Sequence, residues 1–390
     1  MVSVIDLKTK IYFGKKAIEF LGPNLKANNV KKIMLVYGGG SIFKNSVYDD
    51  IIATLKKYKI NYVEYKGVKP NPESDHTYSG ALFARKNKVD AIIAAGGGSV
   101  TDAAKVMGIL ANNTNYKDCW SYVLDPSKVK NLSIPIYSVI TTAGTASENN
   151  AGSVITNTKT TEKRGVMTPS AIPLVAIMDP TYLYTVSAWH TASGIFDCFS
   201  HLLEQYYDTP SMEWTKQYIF AHLRTLLKYA ETAVKKPKNY EARANIQITT
   251  AMALNGLASF ASETDWNVHK IEHSISALWN VTHGAGLALV TPTYIKHRSK
   301  KDKNFAEQTL ELAKEIFNVN TIEKFINKLT SFIKSIGLPL KFIDFPEIKE
   351  VTKKDREYLY THTVKTIKNP VLNVDKKHVN IIKEIIDLIP

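Results

Sequence analysis

The chain has 390 residues, 44% of them apolar and 22% charged, with Gly 19, Pro 15 and Cys 2. That balance excludes a disordered or collagen-like chain, and the two cysteines, Cys119 and Cys198, exclude a disulfide framework and favour a reducing compartment. Lys+Arg 50 against Asp+Glu 36 leaves a formal charge of +14. The basic residues are interleaved with acids instead of gathered in one patch, so the expectation is a lysine-rich solvated surface and no nucleic-acid partner.

The length suits two domains, each able to bury a core. No stretch approaches the ~18 uninterrupted apolar residues of a membrane span. The opening MVSVIDLKTKIYFG has no basic segment followed by an apolar run, so no signal peptide is expected. A soluble, cytoplasmic protein with no membrane partner follows as the expectation.

In chain order, residues 33–37 (IMLVY) read as a strand and 47–58 as a helix. Residues 61–65 (NYVEY) and 90–95 (DAIIAA) are further strands, with a helix over 74–87 between them. GGGS at 96–99 follows, then a helix over 101–110 and a fourth strand at 135–140 (PIYSVI). Strands about 30 residues apart with helices between them predict βαβ crossovers and a parallel sheet. The run 91–95 is apolar throughout, as a strand covered on both faces requires. After Asp179-Pro180 the alternation stops, and 188–207, 212–231, 239–260, 266–278 and later segments have helical spacing. The fold class expected is an α/β domain over 1–185 and an all-helical domain over 186–390. The densest basic run, 296–303 (KHRSKKDK), reads as a solvated turn between two helices.

Gly96, Gly97, Gly98 and Ser99 lie directly after a buried strand and before a helix. Glycines there let the backbone approach a phosphate, and the helix N-terminus presents unpaired N–H groups and the positive dipole end. Ser99 can cap that helix and donate to a phosphate. Asp102 either satisfies the helix start or faces the site. A second such loop, Gly38, Gly39, Gly40 and Ser41, follows the first strand, and TTAGTASE (141–148) follows the fourth. Neither glycine loop has the GxGxxG spacing, yet loops at the carboxyl ends of parallel strands form the crevice where open α/β sheets bind nucleotides. No acid occurs from Tyr37 to Ser46, and Lys44 lies within that stretch. A ribose with free hydroxyls is held by a carboxylate that a 2′-phosphate would repel, so NADP(H) is favoured over NAD(H).

Asp197 and His201 are spaced i, i+4 on one predicted helix, and His269 and His273 repeat that spacing on another. His283 follows in Thr-His-Gly at the start of the next helix. A divalent ion needs three or four carboxylates or imidazoles converging from rigid elements, and these helices can supply them. Cys198 adjoins Asp197 but faces elsewhere on the helix.

The residues now match a family. GGGSVTDAAK (96–105), TTAGTASE (141–148), GIFDCFSHLLEQYY (194–207) and VHKIEHSISALWNVTHGAGLALVTP (268–292) resemble the iron-containing, group III alcohol dehydrogenases. DWNVHKIEHSISALWNVTHG, with YGGGS at 37–41, is similar to the butanol dehydrogenase and NADPH-dependent aldehyde reductase branch. The resemblance spans nearly the whole chain with its motifs in order. It implies a Rossmann-like N-terminal domain and an all-α C-terminal domain, a dehydroquinate synthase-like architecture, with a dinucleotide in the cleft and usually a homodimer.

By that resemblance Asp197, His201, His269 and His283 match the ligands of one divalent metal, Fe²⁺ or Zn²⁺, and His273 matches a histidine beside the nicotinamide. Gly96 to Ser99 match the pyrophosphate loop, Asp102 the acid near the nicotinamide, and Thr141, Thr142 and Thr145 the loop beside the cofactor. Lys163 matches a lysine that reaches the cofactor's ribose, and Gly38 to Ser41 match the loop around the adenosine ribose. Ala146 and Ser46 stand where the family has glycine, and Trp189-His190 also departs from the branch. The expected function is reversible hydride transfer between NADP(H) and a small aldehyde or primary alcohol, with His273 relaying a proton. A polyol dehydrogenase (glycerol dehydrogenase-like) or a sugar-phosphate lyase (dehydroquinate synthase-like) is the alternative on the same fold. The Asp-x3-His pair argues against the lyase, which also requires a basic phosphate pocket.

Overall fold

The computed structural model describes residues 4–208, 212–260, 262, 264–367 and 379–390. In chain order the first half contains β1 (Lys10–Phe13), α1 (Leu21–Ala27), β2 (Lys32–Tyr37), α2 (Val47–Lys57), β3 (Asn61–Tyr65), α3 (Ser74–Asn87), β4 (Ala91–Gly96), α4 (Gly98–Asn112) and α5 (Cys119–Leu124). β5 (Ile136–Ile140), β6 (Gly152–Asn157), β7 (Glu162–Met167) and β8 (Val175–Met178) follow. The helical half contains α6 (Ala188–Asp208), α7 (Glu213–Lys235), α8 (Tyr240–Met252), α9 (Asn267–Trp279), α10 (His283–Lys301), α11 (Lys303–Phe317), α12 (Ile322–Ser335), α13 (Lys353–Ile367) and α14 (Val379–Leu388).

Six strands form one parallel sheet in the order β1-β8-β5-β4-β2-β3, while β6 and β7 make a separate antiparallel hairpin. The central strands are buried on both faces because alternate residues enter two different cores. Met34, Val36, Ile92, Ala94 and Ile136 pack with α3, α4 and α5. Ile33, Leu35, Ile93, Ala95, Tyr137 and Val139 pack on the opposite face with α1 and α2. Chain order reverses between β2 and β4, since β3 lies outside β2 whereas β5 and β8 lie beyond β4. The two glycine loops therefore leave neighbouring strands at the switch point of the sheet.

The chain divides into two compact units, one of Asp6–Ser187 with Lys236–Ala251 and one containing Ala188–Lys235 and Met252–Pro390. Residues Lys236–Ala251 have helical spacing, which placed them with the second half, yet they cluster with the sheet. Arg243 of α8 is fully buried and donates to Pro237 O (2.8 Å), and Asn149 Nδ2 donates to Ala251 O (2.8 Å). Helical periodicity reports which face is apolar and not what covers it.

Other boundaries moved for local reasons. The helix expected to reach residue 260 stops at Met252, and Gly256 follows at φ +91. β1 is short and lies at the sheet edge, and β7 (EKRGVM) carries three charged residues, so neither shows a strand pattern. The basic run at 296–303 is no open turn. α10 continues through Lys301, Asp302 accepts from Phe305 N (3.1 Å) to cap α11, and Arg298 is buried beside Asp302 (3.2 Å). Cations in a last helical turn are favoured by the carbonyl end of the helix. No helix among the described residues is long and apolar enough to cross a membrane.

Candidate metal centre and dinucleotide loops

Three helices of the second unit bring the metal candidates together. α6 carries Asp197 and His201 on one face, α9 carries His269, and α10 begins at His283. Gly284 explains how α10 reaches α6: an added Cβ would lie 1.9 Å from Ser193 O, one turn before Asp197. The glycine permits the close approach that sets His283 against Asp197. Trp189 Nε1 donates to Thr282 Oγ1 (2.9 Å) and steadies the turn just before it.

Nε2 of His201, His269 and His283 stand 3.4, 3.6 and 3.7 Å from the single atom Asp197 Oδ1. Asp197 Oδ1 and His269 Nε2 are buried and have no hydrogen-bond partner among the described residues. Buried polar atoms are rarely left so, and one carboxylate with three imidazoles is a donor set suited to a divalent ion. The residues present fit a metal. Burial works against charge on Asp197, but His201 above all, with His269 and His283, holds its carboxyl well below the usual range. Burial pushes His201 down to about 4. It also opposes charge on His269, where Glu204 and Asp197 prevail and raise the pKa to about 10. A divalent cation bound to neutral imidazoles would take the place of that proton.

Two acids behind the histidines, Glu204 and Glu272, were not singled out from sequence. Glu204 Oε1 meets His269 Nδ1, and its Oε2 accepts from Val268 N (2.8 Å) at the start of α9. Glu272 Oε2 meets His283 Nδ1. The available signal was spacing: Glu204 lies two turns beyond Asp197 on α6, and Glu272 one turn beyond His269. Such partners fix the ring and tautomer of a ligating histidine. His273 is set beside this group, with ring centroids 6.3 Å from His269 and 5.3 Å from His283.

Within the first unit, the loops after β2, β4 and β5 adjoin because these strands pair. A Cβ on Gly97 would lie 2.4 Å from Thr142 Oγ1, and one on Gly98 would lie 2.3 Å from Thr145 Oγ1. The pyrophosphate-loop candidates thus rest directly on two of the predicted threonines. α4 begins at Gly98, three residues earlier than expected, so Gly97 is its cap and Ser99 lies inside the first turn. Gly40 needs its glycine for φ +106, and a Cβ on Gly38 would press on Val68 O at 3.0 Å. Among the described residues nothing lies within 4 Å of a Cβ added at Gly39, so their packing does not account for that glycine.

Asp102 is buried, with Oδ1 accepting from Ser147 Oγ (2.5 Å) and Oδ2 from Val154 N (2.8 Å). Burial raises its pKa. Lys105, lowered to about 8 by burial, donates to Gly152 O (2.6 Å) and Asn150 O (3.0 Å). Together they tie α4 to the 141–148 loop and β6. Lys163 is buried on β7 opposite Thr156, close enough for its charge to act on Asp102. Thr141 is buried where β5 ends. Of the two departures from glycine, Ser46 sits at an ordinary φ of −65, whereas Ala146 is held left-handed at φ 52.

The descriptions "iron-containing alcohol dehydrogenase" and "Fe-containing alcohol dehydrogenase family, C-terminal" match residues 8–180 and 191–386. NADH-dependent butanol dehydrogenase B of Clostridium acetobutylicum is 37% identical over 87% of this chain and 88% of its own. NADPH-dependent aldehyde reductase YqhD of Escherichia coli is 32% identical over 86% of this chain and 87% of its own. The crystal structure of NADH-dependent butanol dehydrogenase A from Thermotoga maritima superposes with TM-score 0.91 at 34% identity, covering 99% of this chain and 98% of the other.

Proposed function

The chain belongs to the iron-containing alcohol dehydrogenase family, and from that premise we propose that its α/β half holds a nicotinamide dinucleotide and its helical half one divalent metal ion. It is an NAD(P)H-linked oxidoreductase of the alcohol dehydrogenase and aldehyde reductase type, acting on small aldehydes and primary alcohols. The observation that carries the metal reading is the convergence of three imidazole Nε2 atoms on Asp197 Oδ1.

Asp197, His201, His269 and His283 hold the ion, and the donor set suits Fe²⁺ or Zn²⁺. A divalent ion there supplies Lewis-acid stabilisation of the substrate oxygen as charge develops on it. Gly96–Ser99 seat the pyrophosphate at the start of α4, with Thr141, Thr142 and Thr145 alongside and Lys163 reaching the ribose. Gly38, Gly39, Gly40 and Ser41 surround the adenosine ribose. A nicotinamide dinucleotide held there would supply the hydride for reduction at the carbonyl carbon, and His273, set beside His269 and His283, would deliver the proton to the oxygen. Asp102 acts at the nicotinamide end by holding Ser147 and Val154 in place.

The acid-free stretch after β2, with exposed Lys44, supports NADP(H). NADH dependence named for the butanol dehydrogenase relatives favours the second reading, NAD(H). Cys119 and Cys198, both buried and neither in a disulfide, accord with a cytoplasmic setting, and a homodimer is the assembly proposed. The test is metal analysis of the purified protein, with NADPH and NADH oxidation followed against a panel of short aldehydes. His269→Ala is expected to lose bound metal and most activity while remaining folded; a variant that keeps both overturns the metal assignment. NADH oxidised at least as fast as NADPH overturns the cofactor preference.

A further inference from the structure

We propose that Glu272 is a positioning residue of the metal centre, fixing the imidazole of His283 so that Nε2 faces Asp197; this rests on the metal reading above. His283 is the ligand candidate least held by packing. Its side chain is 22% exposed, against 7% for His201 and 9% for His269. It is also the first residue of α10, where no preceding helical turn confines its ring. Its orientation therefore depends on what its other nitrogen meets.

That partner is a built feature. Glu272 is fully buried on α9, its Oε2 meets His283 Nδ1, and Ser276 Oγ donates to its Oε1. Ser276 Oγ also lies 3.2 Å from Val281 O, which ties the end of α9 to the turn before His283. Gly286, one turn along α10, leaves the space for the carboxylate: an added Cβ would stand 2.8 Å from Glu272 Cγ and Oε1. Three residues from two helices thus define where this carboxylate sits. An acceptor at Nδ1 keeps the proton there and leaves Nε2 with its lone pair toward the metal position. Metal affinity should fall about 10–100-fold when such a partner is lost.

The test uses the full chain stripped with a chelator and titrated with Co²⁺ against a fluorescent competitor, with the visible Co²⁺ spectrum recorded. Glu272→Ala should weaken Co²⁺ binding about 10–100-fold and alter the ligand-field bands. Glu272→Gln, which keeps an acceptor, should lose less. Gly286→Ala, which displaces the carboxylate without deleting it, should shift the spectrum in the same direction and serves where Glu272→Ala does not fold. Co²⁺ affinity within twofold of the parent, an unchanged spectrum, or equal destabilisation of metal-free and loaded protein overturns the proposal. Failure of the parent chain itself to bind Co²⁺ overturns the underlying metal reading instead.

Discussion

Gly98→Ala tests the seating of the pyrophosphate loop directly. The new Cβ would lie 2.3 Å from Thr145 Oγ1, 2.4 Å from its Cγ2 and 2.8 Å from its Cβ. Rotating Thr145 about χ1 cannot clear all three atoms, and its Oγ1 already accepts from Ser147 N (3.2 Å). Overpacking of this kind costs about 1–3 kcal/mol. Replacing glycine in a helix returns roughly 0.5–1 kcal/mol. Three contacts under 3 Å put the cost near the upper figure, so the net loss is about 2–2.5 kcal/mol, or a fall in Tm of roughly 4–10 °C at 2–4 °C per kcal/mol. Thr145→Ala removes the two closest atoms, so the double variant should regain most of that loss, with a favourable coupling of about 1 kcal/mol. Thermal unfolding of the four proteins measures it, with Gly39→Ala as the control that meets open space and leaves Tm unchanged. If Gly98→Ala melts within 1 °C of its parent, or the coupling stays below about 0.5 kcal/mol, the loop is not seated on Thr145 as argued.

Glu148 and His273 supply two further tests. Burial raises the Glu148 carboxyl from 4.5 to about 7. A raised pKa means stability fully present below pH 4.5 and lost as pH rises through 7, by about 3 kcal/mol in all. Glu148→Gln should flatten that slope in denaturant unfolding between pH 4.5 and 8; an unchanged slope shows the group is not the source. His273→Ala should keep full metal content while kcat falls about 100-fold and the proton-transfer limb of the pH–rate profile disappears. Stoichiometric loss of metal in that variant makes His273 a ligand instead.

Local periodicity is legible without a fold. Residues 91–95 read as a strand buried on both faces because every position is apolar, and Asp197 with His201 read as one helix face because they are four apart. The GGGS loop at 96–99 likewise announces positions, Gly97 and Gly98, where a side chain would obstruct, and the family motifs come in order along the chain.

What spacing along one segment cannot report is the neighbour across the gap. Only the sheet order sets the two glycine loops at one switch point, and only the contact of Gly284 with Ser193 brings His283 to Asp197. Nothing within their own segments distinguishes Glu204 and Glu272; only packing sets them behind His269 and His283. Residues Lys236–Ala251 carry the same helical pattern as their flanks yet join the other unit. Sequence by itself determined the central strands and main helices, the chemistry carried on each face and the family; tertiary structure alone decided which faces meet, because packing partners are chosen by complementary shape between segments far apart in the chain.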